Sequence, residues 1–293
     1  MPHIPVLLKE TVEGLNIKSG SVVLDATFGG GGHSREICKI VGNSGKLLSL
    51  DADPVAKTRI DSEAMSSCNF ELVTANFRDI DKVMEERKIE KLDGAMFDLG
   101  LSSFQLDDGG RGFTFQKDEP LQMTFGAGAK FTAEEIVNGW DEENIADIIY
   151  GYGGEQFSRR IAKKIVEERK IGPIKTTFQL VRIIGDAVPD FYRKRKIHFA
   201  TKTFQALRIT VNDEIGALKE AIEKAWLVLN SGGRLAVISF HELEDRVVKI
   251  FFRDKKAGGM ANAITKKPIV PSKEETSSNP RSRSAKLRVV EKI

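Results

Sequence analysis

The chain of 293 residues has little cysteine or histidine and no long apolar run. Two cysteines, Cys38 and Cys68, cannot build a disulfide scaffold and suit a reducing cytoplasm as free thiols. Of the four histidines, none has a cysteine or second histidine at ligand spacing, so no metal site is expected. No stretch approaches the roughly 20 apolar residues that cross a bilayer. Met1 to Glu10 lacks the basic-then-apolar pattern of a secretory signal. A membrane partner is therefore not expected, and a cytoplasmic location is. Hydrophobic residues make up 41% and charged residues 30%, enough to build a core and too apolar for wholesale disorder.

The net charge of +3 conceals segregation. Residues 1–192 hold 23 Lys and Arg against 31 Asp and Glu. Residues 193–208 hold six basic residues and no acidic one, and residues 253–293 hold 11 against 4. Two basic blocks on an acidic chain suit a polyanion, most simply nucleic acid; the alternative is an ordinary solvated surface. The second block contains Pro268-Ile269-Val270-Pro271 and the polar run Ser272 to Ser278, which reads as an extended, mobile loop.

Apolar, β-rich runs at Ser21–Thr27, Lys46–Leu50, Phe70–Val73 and Asp93–Asp98 alternate with helical stretches, the first over about His33–Val41 and a second starting near Pro54. That alternation predicts an α/β fold with a doubly wound parallel sheet. The pattern then stops. From about 107 to 206 the periodicity is helical: Phe157, Ile161 and Ile165 recur every fourth residue, with Arg159, Arg160, Lys163 and Lys164 off the stripe. Phe178–Val188 is a further amphipathic candidate. A long helix along Ile215, Leu218, Ile222, Ala225 and Leu229, then strands at Arg234–Phe240 and Leu287–Val290, return to the sheet. The chain thus reads as a sheet domain over 1–106 and 207–293, interrupted by an all-helical insertion over 107–206.

Ligands of open α/β sheets sit beyond the carboxyl ends of the strands, near the point where strand order reverses. That rule selects Asp25–His33, Asp51, Asn76-Phe77 and Asp98. The run Gly29–Gly32 lets backbone approach a ligand where a Cβ would block it; otherwise it is a plain strand–helix turn. Asp51 is placed to accept both hydroxyl hydrogens of a ribose, or else to cap a helix. Ser34 stands where a dinucleotide fingerprint has Gly or Ala, and Asp51 lies 26 residues after Asp25 rather than the usual ~20. A sulfonium donor, with no pyrophosphate to cradle, suits the acidic surround better than NAD. Methyltransferase, nucleotide oxidoreductase and non-catalytic fold all stay open on spacing alone.

Longer stretches narrow the choice. HIPVLLKE at 3–10, LDATFGGGGHS at 24–34, DLGLSSFQLDD at 98–108, RGFTF at 111–115, KIHFATKTFQALRITVNDE at 196–214, GGRLAVISFHELEDRVVK at 232–249 and NPRSRSAKLRVVEKI at 279–293 resemble the bacterial MraW/RsmH family, the 16S ribosomal RNA (cytosine-N4)-methyltransferases. The resemblance implies a Rossmann-like methyltransferase sheet with a helical insertion, S-adenosyl-L-methionine as donor, and a cytosine of the small-subunit decoding centre as acceptor. It implies donor contacts at Gly31, Gly32, His33, Asp51, Phe77, Asp98 and Gln105. The chain departs from the family where Leu121-Gln122-Met123-Thr124-Phe125 replaces the usual Leu-Asp-Met-Arg-Met, at Glu242 in place of Ser, and at Phe199 in place of Pro.

The exocyclic amine of cytosine is a poor nucleophile, because its lone pair is delocalised into the ring. It needs an acceptor that orients it and offsets its developing positive charge. Asp98 or a nearby carbonyl is expected in that role, with Ser102 and Ser103 lining the pocket; Asp98 could instead serve only the donor. Arg193, Lys194, Arg195, Lys196 and Lys202, with Arg281 and Arg283, are the candidate phosphate contacts. His198 and Phe204 are candidate base-stacking rings, Phe204 doubling as core. Arg246 is expected to pair with Glu244 or Asp245. Two other readings compete: a methyltransferase for a different acceptor, and an RNA-binding assembly factor that keeps the fold without the activity.

Overall fold

The computed structural model describes residues 4–101, 110–126 and 129–293. It divides into two compact units, one over 1–102 and 215–293 and the other over 103–214.

The first unit is a seven-stranded sheet. In chain order the strands are β1 (Val22–Asp25), β2 (Lys46–Asp51), β3 (Asn69–Thr74), β4 (Leu92–Asp98), β5 (Leu229–Ser239), β6 (Ala261–Ala263) and β7 (Lys286–Lys292). Their spatial order is β3-β2-β1-β4-β5-β7-β6. The first five run parallel, and β7 pairs antiparallel with both β5 and β6. Successive side chains on a strand face opposite ways, and the sequence uses both faces. Leu24, Leu48, Leu50, Phe97 and Val237 enter one core, with Ile80 and Val83 of α3 (Ile80–Glu86), Leu218, Ile222 and Trp226 of α10 (Glu214–Val228) and Val248 and Phe252 of α11 (Glu242–Ala257). Val23, Leu47, Met96 and Ile238 enter the other, with Leu15 of α1 (Leu8–Leu15) and Ile37, Cys38 and Val41 of α2 (Gly32–Val41). Strands buried on both sides explain the unbroken apolar runs of the sequence. This is a Rossmann-like, doubly wound α/β sheet, as the alternation of strands and helices in the sequence predicts.

Three expectations need correction here. The stretch 268–278 is not an unpacked loop: Ile269 exchanges backbone hydrogen bonds with Leu287 at 2.9 and 2.8 Å. Ser272 then caps a short helix, Lys273–Ser278, through the Glu275 N–H. The segment at Pro54 is a 3-10 helix, Pro54–Arg59, started by the Asp53 carboxylate, which accepts from Val55 N. Cys38 and Cys68 are joined as a disulfide rather than free, because α2 and the approach to β3 bring their Cα atoms to 5.2 Å, a bridging distance.

The second unit is helical, with α4 (Ala133–Gly139), α5 (Glu142–Gly151), α6 (Ser158–Arg169), α7 (Thr177–Ala187), α8 (Asp190–Arg193) and α9 (Thr201–Asn212). Capping boxes start two of them, Thr132 with Glu135 and Thr176 with Gln179. Ile161 and Ile165 are buried while Arg159, Arg160 and Lys163 are exposed, as their spacing requires. Helix α9 crosses position 206 and lies wholly in this unit.

Candidate functional site

Strand order reverses at β1, which has β2 on one side and β4 on the other. The crevice rule therefore points at the ends of these three strands, where Asp25, Asp51 and Asp98 sit. The loops leaving them are held by continued strand-like pairing. Ala26 N donates to Met96 O at 2.9 Å, Phe28 N to Leu50 O at 2.8 Å, and Leu99 N to Ile238 O at 3.0 Å.

Asp51 accepts Gly29 N on Oδ2 and Asp53 N on Oδ1, each at 2.8 Å. A carboxylate has about four lone-pair sites, so each oxygen retains capacity for a further donor. Burial raises the pKa of Asp51, and its backbone donors oppose that rise. Incoming hydroxyl donors would favour the charged form further. The ring of Phe77, half-buried just beyond β3, packs edge-on against Phe97 with centroids 5.9 Å apart.

The glycine loop divides by role. Gly29 and Gly31 have φ of +55° and +72°, a region costly for other residues. A Cβ on Gly31 would also lie 2.7 Å from the Phe28 ring. Gly32 has ordinary φ, but its Cβ would fall 2.1 Å from Pro5 Cγ. Gly32 thus makes room for the N-terminal segment. That segment is tied down further: His33 Nε2 donates to Val6 O at 3.1 Å, Leu7 N donates to Glu275 Oε1 at 2.8 Å, and Asn279 Nδ2 donates to Ile4 O at 3.1 Å.

Asp25 is buried and turned inward, accepting from Ser34 Oγ at 2.6 Å and Thr27 N at 3.1 Å. Asp98 differs. Its backbone N–H donates to Thr27 Oγ1 at 2.6 Å. Among the described residues the donor that reaches its carboxylate is Gly100 N, at 3.3 Å. His33 Nδ1 stands 3.8 Å from its Oδ2, beyond hydrogen-bond range. Burial, aided by the negative charge of Glu244, pushes Asp98 up to about 7, while burial lowers His33. Among the described residues Asp98 is therefore a carboxylate short of partners, able to take a cation or a donor N–H.

S-adenosylmethionine offers a ribose diol, an adenine, a sulfonium and an ammonium. The spare acceptors of Asp51, the Phe77 ring and the underused Asp98 fit these groups. Ser102, Ser103 and Gln105 lie outside the described residues.

In the helical unit, Arg193, Lys194, Arg195 and Lys196 are all exposed. Arg193 pairs with Asp190. The Arg195 guanidinium lies 4.8 Å over the Tyr192 ring, and Lys202 Nζ donates to Gly154 O at 2.8 Å. Arg281 and Arg283 are exposed on a 3-10 turn, Pro280–Ser284, of the sheet unit. The proposed stacking rings need correction. His198 stacks on Phe115 at 4.5 Å and on Phe199 at 4.2 Å. The imidazole is therefore already engaged by two neighbouring rings, although His198 remains exposed. Phe204 is core, 4% exposed. Arg246 is also reassigned: Asp245 pairs with Arg288 at 2.7 Å and Lys286 at 3.5 Å. Glu244 instead accepts from Phe240 N at 2.8 Å and, with His241, closes a capping box on α11.

Sequence reasoning did not give Thr27 its bond from Asp98 N or Glu244 its charge beside Asp98, and it missed the strap of residues 4–7. A His-x-x-Glu spacing ahead of a helix was a visible capping signal. The bond from Leu7 to Glu275, 268 positions apart, left none.

The sequence profile of the MraW methylase family matches residues 1–293. A protein of Brevibacillus brevis named Ribosomal RNA small subunit methyltransferase H is 44% identical, covering 99% of this chain and 98% of that one. A Clostridium botulinum protein of the same name is 46% identical over 99% of each chain. Among solved structures, a putative rRNA-methylase from Clostridium thermocellum aligns at a TM-score of 0.48 and 13% identity, covering 99% of each chain. With a crevice at the reversal point and a family profile covering it from end to end, the chain belongs to the MraW methylase family.

Proposed function

We propose that this protein transfers a methyl group from S-adenosylmethionine to N4 of a cytosine in the decoding centre of 16S ribosomal RNA, on the assembled or nearly assembled small subunit. The observation that carries the reading is the end-to-end likeness to proteins named for small-subunit ribosomal RNA methylation. With such a substrate the protein works in the cytoplasm.

When bound, the donor supplies an electrophilic methyl group on sulfur. The residues of the chain do the rest. Asp51 anchors the ribose through its two free acceptor positions, and Phe77 borders the adenine. Gly31 keeps the loop in the left-handed turn that exposes backbone to the ligand. Asp98 accepts an N–H of the cytosine amine, points its lone pair at the methyl group, and takes up the proton that the amine releases. A carboxylate held near pH 7 suits that work, since it is charged enough to accept and basic enough to keep the proton. The helical unit, with its exposed Arg193–Lys196 block and Lys202, grips phosphates around an unstacked base. Arg281 and Arg283 provide a second set of phosphate contacts.

The test is methyl transfer from labelled donor to small subunits lacking the modification, with the labelled nucleotide mapped by mass spectrometry. Label on N4 of one decoding-centre cytosine is expected. Label on a protein, on another base, or nowhere would overturn the assignment.

A further inference from the structure

The helical unit carries a ring that the proposed function leaves unused. Residues 189–197 read Pro-Asp-Phe-Tyr-Arg-Lys-Arg-Lys-Ile. Neighbouring residues on a helix point about 100° apart, and α8 treats its two aromatics oppositely. Tyr192 is buried, 5% exposed. Its hydroxyl donates to Glu155, itself fully buried, and its ring meets Phe157 edge-on at 5.0 Å. Phe191 leaves 62% of its surface to solvent. The Arg195 guanidinium spans both, 4.8 Å from the Tyr192 ring and 6.0 Å from the Phe191 ring. Ile197, 58% exposed, closes the stretch.

Such a segment is fixed in place rather than merely unpacked. Tyr192 anchors it from below, Tyr192 N donates to Pro189 O at 2.9 Å, and Arg195 N donates to Tyr192 O at 3.3 Å. A large aromatic on a firm turn, followed by four consecutive exposed cations, combines the two elements of single-strand recognition. One is a flat apolar face for a base, and the other is positive charge for the backbone beside it. The acidic residue in the segment, Asp190, is paired with Arg193, an exposed pair that costs little to open.

We propose that Phe191 is a nucleobase-stacking platform, on which an unpaired base of the RNA substrate lies while Lys194, Arg195 and Lys196 contact the adjoining phosphates. This rests on the RNA-directed function above and assigns a residue to it that the sequence motifs did not suggest. Of the rings the sequence offered, Phe204 is buried and His198 already stacks on Phe115 and Phe199.

The experiment measures binding of the full-length protein to a 12-nucleotide single-stranded oligoribonucleotide and to 16S RNA, as a function of salt. Phe191→Ala is expected to weaken both about 5- to 100-fold, the range for losing one base–aromatic stack, with the salt slope unchanged. Phe191→Trp should restore binding. Lys196→Ala should instead lower the salt slope by about one. Because Phe191 is exposed, the variant should unfold at the wild-type temperature, which a melt verifies. Unchanged RNA affinity, or an altered salt slope, in Phe191→Ala overturns the platform. So does a loss seen with intact subunits but not with either RNA, which would mark a protein contact instead. Methyl transfer by the wild-type protein is scored on the same preparation. Its absence counts against the proposed reaction, whereas the oligonucleotide result judges the platform by itself.

Discussion

Replacing Asp98 by Asn should make the protein more stable and less active at once, and the stability gain should depend on pH. In the unfolded chain this carboxyl loses its proton near 3.8; in the fold it keeps it up to about 7. Between those values the native state binds more protons than the unfolded state, so stability declines as pH rises from about 4 to about 7 and levels off above. At roughly 1.4 kcal/mol per pH unit, the difference amounts to at most about 4 kcal/mol above pH 7 and under about 1 kcal/mol at pH 4. Asn has no charge to desolvate and keeps an oxygen for Gly100 N. The melting temperature of Asp98→Asn should therefore exceed the wild type by several degrees at pH 8, with the gap nearly closed at pH 4. Turnover should drop by about 10²- to 10⁴-fold, as for loss of a positioned proton acceptor. In the wild type, kcat/KM should fall below pH 7 as Asp98 protonates. With the cationic donor bound that limb should move to lower pH, because a nearby positive charge favours the carboxylate. A melting gap that is equal at both pH values, or an Asp98→Asn protein with normal turnover, would refute the argument.

Other perturbations follow from the same crevice. Asp51→Asn keeps one acceptor and replaces the other with a donor. Losing a charge-assisted bond to the ribose should weaken donor binding about 10- to 100-fold by calorimetry, and a change under twofold would remove Asp51 from that role. Gly32→Ala drives a Cβ into Pro5 and should cost ~1–3 kcal/mol by denaturant unfolding. Adding Pro5→Ala should recover most of that cost, and strict additivity of the two changes would deny the contact. Cys38→Ser should lower stability by ~2–4 kcal/mol under oxidising conditions, where the bond to Cys68 closes a loop across 30 positions. In excess reductant, as in the cytoplasm, the difference should shrink to what the buried thiol itself contributes. Equal losses in both buffers would mean that the pair does not bond in solution.

The parts of the fold that were legible are those whose signal is local. β1, β2 and β4 each carry an apolar run ended by aspartate, and burial on both faces makes such runs unmistakable. What escaped depends on partners distant in the chain. β6 is three residues, Ala261–Ala263, with no alternation of its own; it exists because β7 offers it a ladder. Pro268 and Pro271 made 268–278 look unstructured, yet Ile269 pairs with Leu287 and Glu275 holds Leu7. No local pattern encodes those contacts, nor the 5.2 Å between the Cα atoms of Cys38 and Cys68.

The run Gly29–Gly32 shows why neighbouring residues of one loop need separate explanations. Consecutive glycines invite a single explanation, and close approach of a ligand is the obvious one. The geometry gives different explanations for three of the four. Gly29 is needed for its positive φ and for the N–H it donates to Asp51, which orients that carboxylate. Gly31 is needed for its positive φ and for the space the Phe28 ring takes. Gly32 is needed by Pro5, on a strap that the C-terminal segment holds through Glu275 and Asn279. The same strap accepts the Nε2 proton of His33 through Val6. That bond fixes the tautomer whose unprotonated Nδ1 faces Asp98. The two termini thus set the orientation of a ring beside the proposed proton acceptor. Glu275→Gln keeps an acceptor for Leu7 and should leave donor affinity and the pH profile alone. Glu275→Ala frees the strap and should shift the Asp98 limb of kcat/KM. Identical profiles for the two substitutions would mean that the strap packs against the crevice without tuning it.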